Sequence, residues 1–145
     1  MKRSTFLRLG AACLLSAALP LRADEGVRLV LIGNGPLRGL TLEDLRRIYS
    51  GRVVQFKGVS LRPVNLPPGD ALRQEFLRTV LHQSDEDYNA YWTVRRYIGQ
   101  GVPPPEVRSP ADVIRLVTRT PGALGYIDAA DQPVASPQVT TILQL

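Results

Sequence analysis

Pro67-Pro68-Gly69-Asp70-Ala71-Leu72-Arg73 is the stretch of this chain best suited to chemistry. It lies between an extended run, Leu61 to Asn65, and a helical one that carries on to Leu81. A helix that starts after a tight, Gly-containing loop presents free backbone N–H groups, and such a start holds anions. Gly69, Asp70, Ala71 and Arg73 are therefore the candidate anion-binding residues, and Asn34, after the first apolar run, is a weaker addition. The same residues also describe an ordinary capped helix, with Asp70 as the N-cap.

Other reactive arrangements are thin. His82 is the only histidine, and Cys13 the only cysteine. A serine nucleophile would have no second imidazole to call on, and there is no nucleophile elbow or phosphate loop of the Gly-x-x-x-x-Gly-Lys type. The chain is expected to be no enzyme, with no metal and no cofactor. Asp85-Glu86-Asp87 is read as acid favouring a helix N-terminus. Tyr88, Tyr91 and Trp92, spaced i, i+3 and i+4, fit either a stacking platform or a core face, and core packing is the default. Tyr97 is a further aromatic candidate on the same segment.

The first 23 residues stand apart. Met1-Lys2-Arg3 is basic, Leu9 to Leu19 is apolar, and Leu21-Arg22-Ala23 resembles a cleavage site. This is the pattern of a secretory signal peptide, and the apolar run is shorter than a bilayer span. The chain is expected to reach the periplasm as one domain over 24–145, without cysteine. The formal charge of +5 shrinks once Lys2, Arg3, Arg8 and Arg22 leave with the leader. No nucleic-acid partner is expected from so near-neutral a remainder.

Several elements must position the loop. Val27 to Ile32 reads as a buried strand, and Thr41 caps a helix over Leu42 to Tyr49, with Asp44 completing an acidic capping box. Val53 to Gly58 reads as irregular or extended. Asp70 to Leu81 is helical, Ser84 caps a further helix, and Ser109-Pro110 opens a fourth. Ala123 to Ile127 and Val139 to Leu143 read as strands. The fold class is α/β, with a small, mainly parallel sheet flanked by helices.

Three stretches resemble phosphate-type periplasmic solute-binding proteins, in that family's order. They are "LTLEDLRRIYSGRV" (40–53), "LRPVNLPPGDALRQEF" (61–76) and "TPGALGYID" (120–128). "YWTVRRYIGQGVPPPEV" (91–107) is similar to a short subgroup of them. The resemblance implies one lobe of a type 2 periplasmic-binding-protein-like fold, binding phosphate or a related oxyanion for an ABC importer. Full-length members of the family have two lobes. The family's loop reads Arg, then Ser-Gly-Thr; here Leu66, Asp70, Ala71 and Leu72 stand at the corresponding positions. A carboxylate thus replaces hydroxyl donors where the anion would sit. The alternative is an accessory or signal-input module that docks to a protein, such as a periplasmic sensor; pairing as a homodimer would instead rebuild a cleft. The environment of Asp70 discriminates: converging arginines favour an anion, and simple capping favours the accessory module.

Overall fold

The computed structural model describes residues 26–132 and 136–145. The proposed leader lies outside the described residues. β1 (Leu29–Gly33) is followed by α1 (Leu42–Tyr49), the short strands β2 (Gln55–Phe56), β3 (Val59–Ser60) and β4 (Arg62–Pro63), and α2 (Ala71–Phe76). A π turn over Leu77–Leu81 extends α2; then come α3 (Asp85–Tyr97), α4 (Pro110–Arg119), β5 (Ala123–Asp128), a 3-10 turn and β6 (Thr140–Gln144).

The main sheet runs β4-β5-β1-β6. All five residues of β1 are buried, which is why its sequence is apolar without alternation. Side chains alternate across a strand. At Gly125, a Cβ would meet the Val113 side chain of α4 at 2.6 Å. Its neighbour Tyr126 turns the other way and stacks on Phe76 of α2, ring centroids 4.1 Å apart. Helices therefore cover both faces, as the α/β lobe reading requires.

Strand direction departs from the expectation of a mainly parallel sheet. Only β4–β5 is parallel; β1 pairs antiparallel with both β5 and β6. An uninterrupted apolar run reports burial on two faces, and parallel sheets are the commonest way to achieve that. Here a central antiparallel strand achieves it instead. Val53 to Gly58 is also more ordered than expected, since β2 and β3 form a hairpin. Its two linking residues, Lys57 (φ 49) and Gly58 (φ 78), both adopt left-handed backbone, as a two-residue primed turn demands.

The helix caps follow the sequence closely. Thr41 Oγ1 accepts from Asp44 N at 3.2 Å, and Asp44 Oδ2 accepts from Thr41 N at 2.9 Å. Ser84 and Ser109 cap α3 and α4. One close approach holds the edge of the sheet: a Cβ on Gly122 (φ +80) would lie 2.0 Å from the Ser60 carbonyl oxygen. Arg62 N and Val64 N each donate across to β5, to the Gly122 and Leu124 carbonyls at 2.9 Å, and Pro63 between them stands on the edge strand, where its missing N–H breaks no bond to β5. Beyond it, Asn65 pairs with Glu106 in an isolated parallel bridge, so the proline-rich segment 103–105 is drawn against the sheet edge.

Candidate functional site

β4 and the loop after it deliver the candidate residues to one place. Gly69 takes φ +85, the left-handed turn that reverses the chain into α2. Asp70 follows as N-cap, its Oδ1 accepting from Leu72 N at 2.9 Å and Arg73 N at 3.1 Å. Arg73 is then carried under the loop. It is 1% exposed, and only one other polar or charged residue, Asn65, is buried as fully among the described residues.

A buried guanidinium must be matched donor by donor. Arg73 Nε donates to Asp85 Oδ1 at 2.5 Å. Nη1 donates to the Leu66 carbonyl at 2.9 Å and to Glu106 Oε1 at 3.1 Å. Nη2 donates to Asn89 Oδ1 at 3.0 Å, and the Tyr88 ring lies 5.5 Å beneath the guanidinium carbon. The second oxygen of Asp85 accepts from Gly69 N at 2.8 Å. One carboxylate thus takes both the loop amide and the arginine, the two kinds of donor that an oxyanion would use here.

The structure gathers Gly69, Asp70, Ala71 and Arg73 into this unit, and most of its donors are spent within it. Among the described residues no arginine side chain bonds to the Asp70 carboxylate, which caps its own helix. Asn34 is placed elsewhere: its Nδ2 donates to the Val117 carbonyl at 2.8 Å and the Thr118 carbonyl at 3.3 Å, closing the end of α4. Sequence reading missed Asp85, Asn89, Glu106 and Asn65. Asp85 carried a signal, since its place in the first turn of α3 was read only as a dipole effect. Glu106 carried none.

Beside Arg73 opens a cleft of about 280 Å³, walled by Asn65, Pro68, Asn89, Thr93, Arg96 and Glu106. Arg96 makes no ion pair among the described residues, and the Nε1 of Trp92, also against this cleft, is buried without a hydrogen-bond partner. Behind the cleft the aromatic core is locked by phenols. Tyr88 Oη donates to the Tyr49 carbonyl and Tyr49 Oη to the Val64 carbonyl, each at 2.9 Å. Tyr126 Oη donates to Asn65 Oδ1. Burial pushes the Tyr88 phenol up to about 12 and raises those of Tyr49 and Tyr126 as well. Tyr88 and Trp92 are core residues, as the default reading had it, whereas Tyr97 is 92% exposed.

His82 Nε2 lies 2.9 Å from Arg46 Nη2, and no group of three potential metal ligands occurs among the described residues. No described helix is long and apolar enough to cross a membrane.

No family model matches the chain, and no curated protein matches it. Solved structures do. One is an ABC-type phosphate transport receptor from Vibrio cholerae, with a TM-score of 0.59 and 19% identity, over 80% of this chain and 46% of that one. The fold is a periplasmic-binding-protein-like lobe. A second match is a putative phosphate ABC transporter substrate-binding protein with bound phosphate from Clostridium perfringens, with a TM-score of 0.58 and 19% identity, over 80% of this chain and 45% of that one. The chain thus spans less than half the length of either protein. At this identity the likeness concerns the lobe's architecture, and the Asp70–Arg73–Asp85 unit must be read on its own chemistry.

Proposed function

We propose that this chain is an exported, non-enzymatic accessory lobe of solute-binding-protein type. It acts by docking to a protein, such as a periplasmic sensor or an importer component, and it does not capture free phosphate. One observation carries this reading: Asp85 holds both Gly69 N and Arg73 Nε. An incoming oxyanion would have to displace that carboxylate and approach Asp70 at close range. Two negative charges about 4 Å apart repel by about 4 kcal/mol near a protein surface.

A second reading keeps the anion. The two solved structures named above are phosphate transport proteins by description, one with phosphate bound, and Arg96, without an ion pair among the described residues, stands at the cleft beside Arg73. In that reading phosphate or a related oxyanion is held around Gly69, Asp70, Ala71 and Arg73, with Asn34 at most peripheral, and is passed to an ABC importer.

Isothermal titration of residues 24–145 with phosphate, and with sulfate beside it, separates the two. The accessory reading expects no heat with either anion. Micromolar phosphate binding, altered in Asp70→Ser, would overturn it and establish the second reading.

A further inference from the structure

α4 turns Val113 and Val117 into the core. On another face Asp112, Arg115, Leu116 and Arg119 fall at i, i+3, i+4 and i+7, a single helical stripe. That stripe and the two residues Val107 and Arg108, which lead into the helix, wall one groove of about 540 Å³. Val107 and Leu116 are half-buried at its base, whereas Arg108, Arg115 and Arg119 are exposed. An arginine lays its apolar stem along such a wall and keeps its charged head at the rim.

Three guanidiniums thus share this groove with one carboxylate, and that carboxylate is already spent. Asp112 Oδ1 accepts from Arg115 Nη1 at 2.8 Å, and Oδ2 accepts from Ser109 Oγ at 3.2 Å. The side chains of Arg108 and Arg119 make no hydrogen bond or ion pair among the described residues. Like charges gathered at one rim repel, and carboxylates brought by a partner relieve that repulsion. The imbalance is local. Outside the first 23 residues the chain has 14 cations and 13 acids, not the basic excess that draws nucleic acid or an anionic membrane.

We infer that this groove docks a short, extended acidic segment of a partner protein, of the form Glu-Leu-Glu. This rests on the accessory reading above and gives the chemistry of the partner that the lobe docks to. The spacing carries it. Arg115 and Arg119 are separated by about 6 Å along the axis of α4. In an extended peptide, side chains two residues apart point the same way and lie about 6.6 Å apart. Two glutamates at that spacing meet the two guanidiniums at the rim, and Arg108 closes on them from outside the helix. The residue between them points the opposite way, down to Val107 and Leu116, where an apolar side chain fits. Arg115 can bind while keeping Asp112, because Nε and Nη2 are not used in that pair.

Amide chemical shifts of isotope-labelled residues 24–145, titrated with the capped peptide Ser-Glu-Leu-Glu-Ser, test this. Shifts should be confined to 107–120 and should fit a dissociation constant of roughly 1 mM or below. Added salt should weaken binding. Arg108→Glu should weaken it at least fivefold with an unchanged melting temperature, since that exposed side chain takes no part in the fold. Arg119→Gln should weaken it as well. Replacing the peptide's leucine by serine should cost at least threefold. The absence of shifts at roughly 10 mM peptide overturns the inference. So do equal shifts from Ser-Lys-Leu-Lys-Ser, or binding indifferent to both arginine variants. Inorganic phosphate that shifts 107–120 as strongly as the peptide also overturns it, because the groove would then select charge alone. Phosphate held at the Asp70 unit would instead shift Gly69 to Arg73, so failure of this inference and failure of the accessory reading are told apart.

Discussion

Arg73 and Asp85 meet at 2.5 Å with side-chain exposures of 1% and 18%, and this pair joins the start of α2 to the start of α3. Glu106 adds a second carboxylate at 3.1 Å from the proline-rich segment's end. Three chain segments therefore converge on one guanidinium. Removing it strands two carboxylates and the acceptors Leu66 O and Asn89 Oδ1. Arg73→Met is expected to cost about 3–5 kcal/mol, the range for breaking a buried pair from one side. Arg73→Lys should recover less than half, because an ammonium cannot span acceptors set out for a planar fork. Urea denaturation of the three proteins checks this. A loss below about 1 kcal/mol for Arg73→Met would mean that the pair is no more than a surface contact.

Gly122 tests the close approach at the sheet edge. Its left-handed φ of +80 already penalises any other residue, and a Cβ would lie 2.0 Å from the Ser60 carbonyl oxygen. That neighbour is backbone and is tied into the β2–β3 hairpin, so it cannot swing aside. Gly122→Ala should lower stability by at least ~2 kcal/mol. Thermal unfolding gives the answer. A melting temperature within a degree of the native chain would show that the hairpin shifts freely.

The capping box of α1 gives a prediction in acid. Hydrogen bonds from the Thr41 backbone N–H and hydroxyl hold the Asp44 carboxyl below its usual range, with Arg47 adding a smaller effect. The folded value lies below the unfolded one. The stabilisation is therefore present above the unfolded value of 3.8, and it is lost as pH falls through the folded one. Thr41→Ala should cost about 1 kcal/mol near neutral pH, and less as Asp44 protonates in both states. Urea midpoints for the two proteins, taken from neutral pH down to pH 3, should converge on the acid side. A constant difference would show that the box contributes nothing through Asp44.

How much of this was legible in the sequence follows from what each signal encodes. Caps are local: Thr41, Ser84 and Ser109 announce their helices because a side chain three residues away must satisfy a backbone amide. The α/β class was legible from the alternation of apolar runs with helical periods. Strand direction was not, because the run at β1 encodes burial on two faces and is silent about its neighbours' polarity. The hairpin at Lys57-Gly58 was legible in principle, since a Gly at the second turn position is a primed-turn signal. The residues of the Asp70 unit were found from the loop, but their state was not. Asp85 and Glu106 lie 12 and 33 positions from Arg73. No local rule says that they, and no external anion, fill its donors.

The buried phenols make the last prediction, in alkali. Burial is the first cause in each case. It raises Tyr88 to about 12 and pushes Tyr49 and Tyr126 up as well, the charge of neighbouring tyrosines adding to Tyr49. The folded values exceed the unfolded one of 10.0. The neutral phenols' contribution is therefore complete below pH 10 and declines as pH rises from there toward the folded values. Above that pH the unfolded chain loses protons that the folded chain keeps. Stability should fall across roughly pH 10 to 12. Phenolate absorbance of these three side chains should rise together with the loss of near-ultraviolet circular dichroism, since none can ionise while its hydroxyl donates to Tyr49 O, Val64 O or Asn65. Tyr88→Phe removes one of the three and leaves the Tyr49 carbonyl without that donor. It should lower stability at pH 7 by about 1 kcal/mol, yet flatten the decline in alkali. A Tyr88→Phe protein that loses stability as steeply as the native chain above pH 10 would show that this phenol ionises in place, and that the seal between α3 and α1 is open to water.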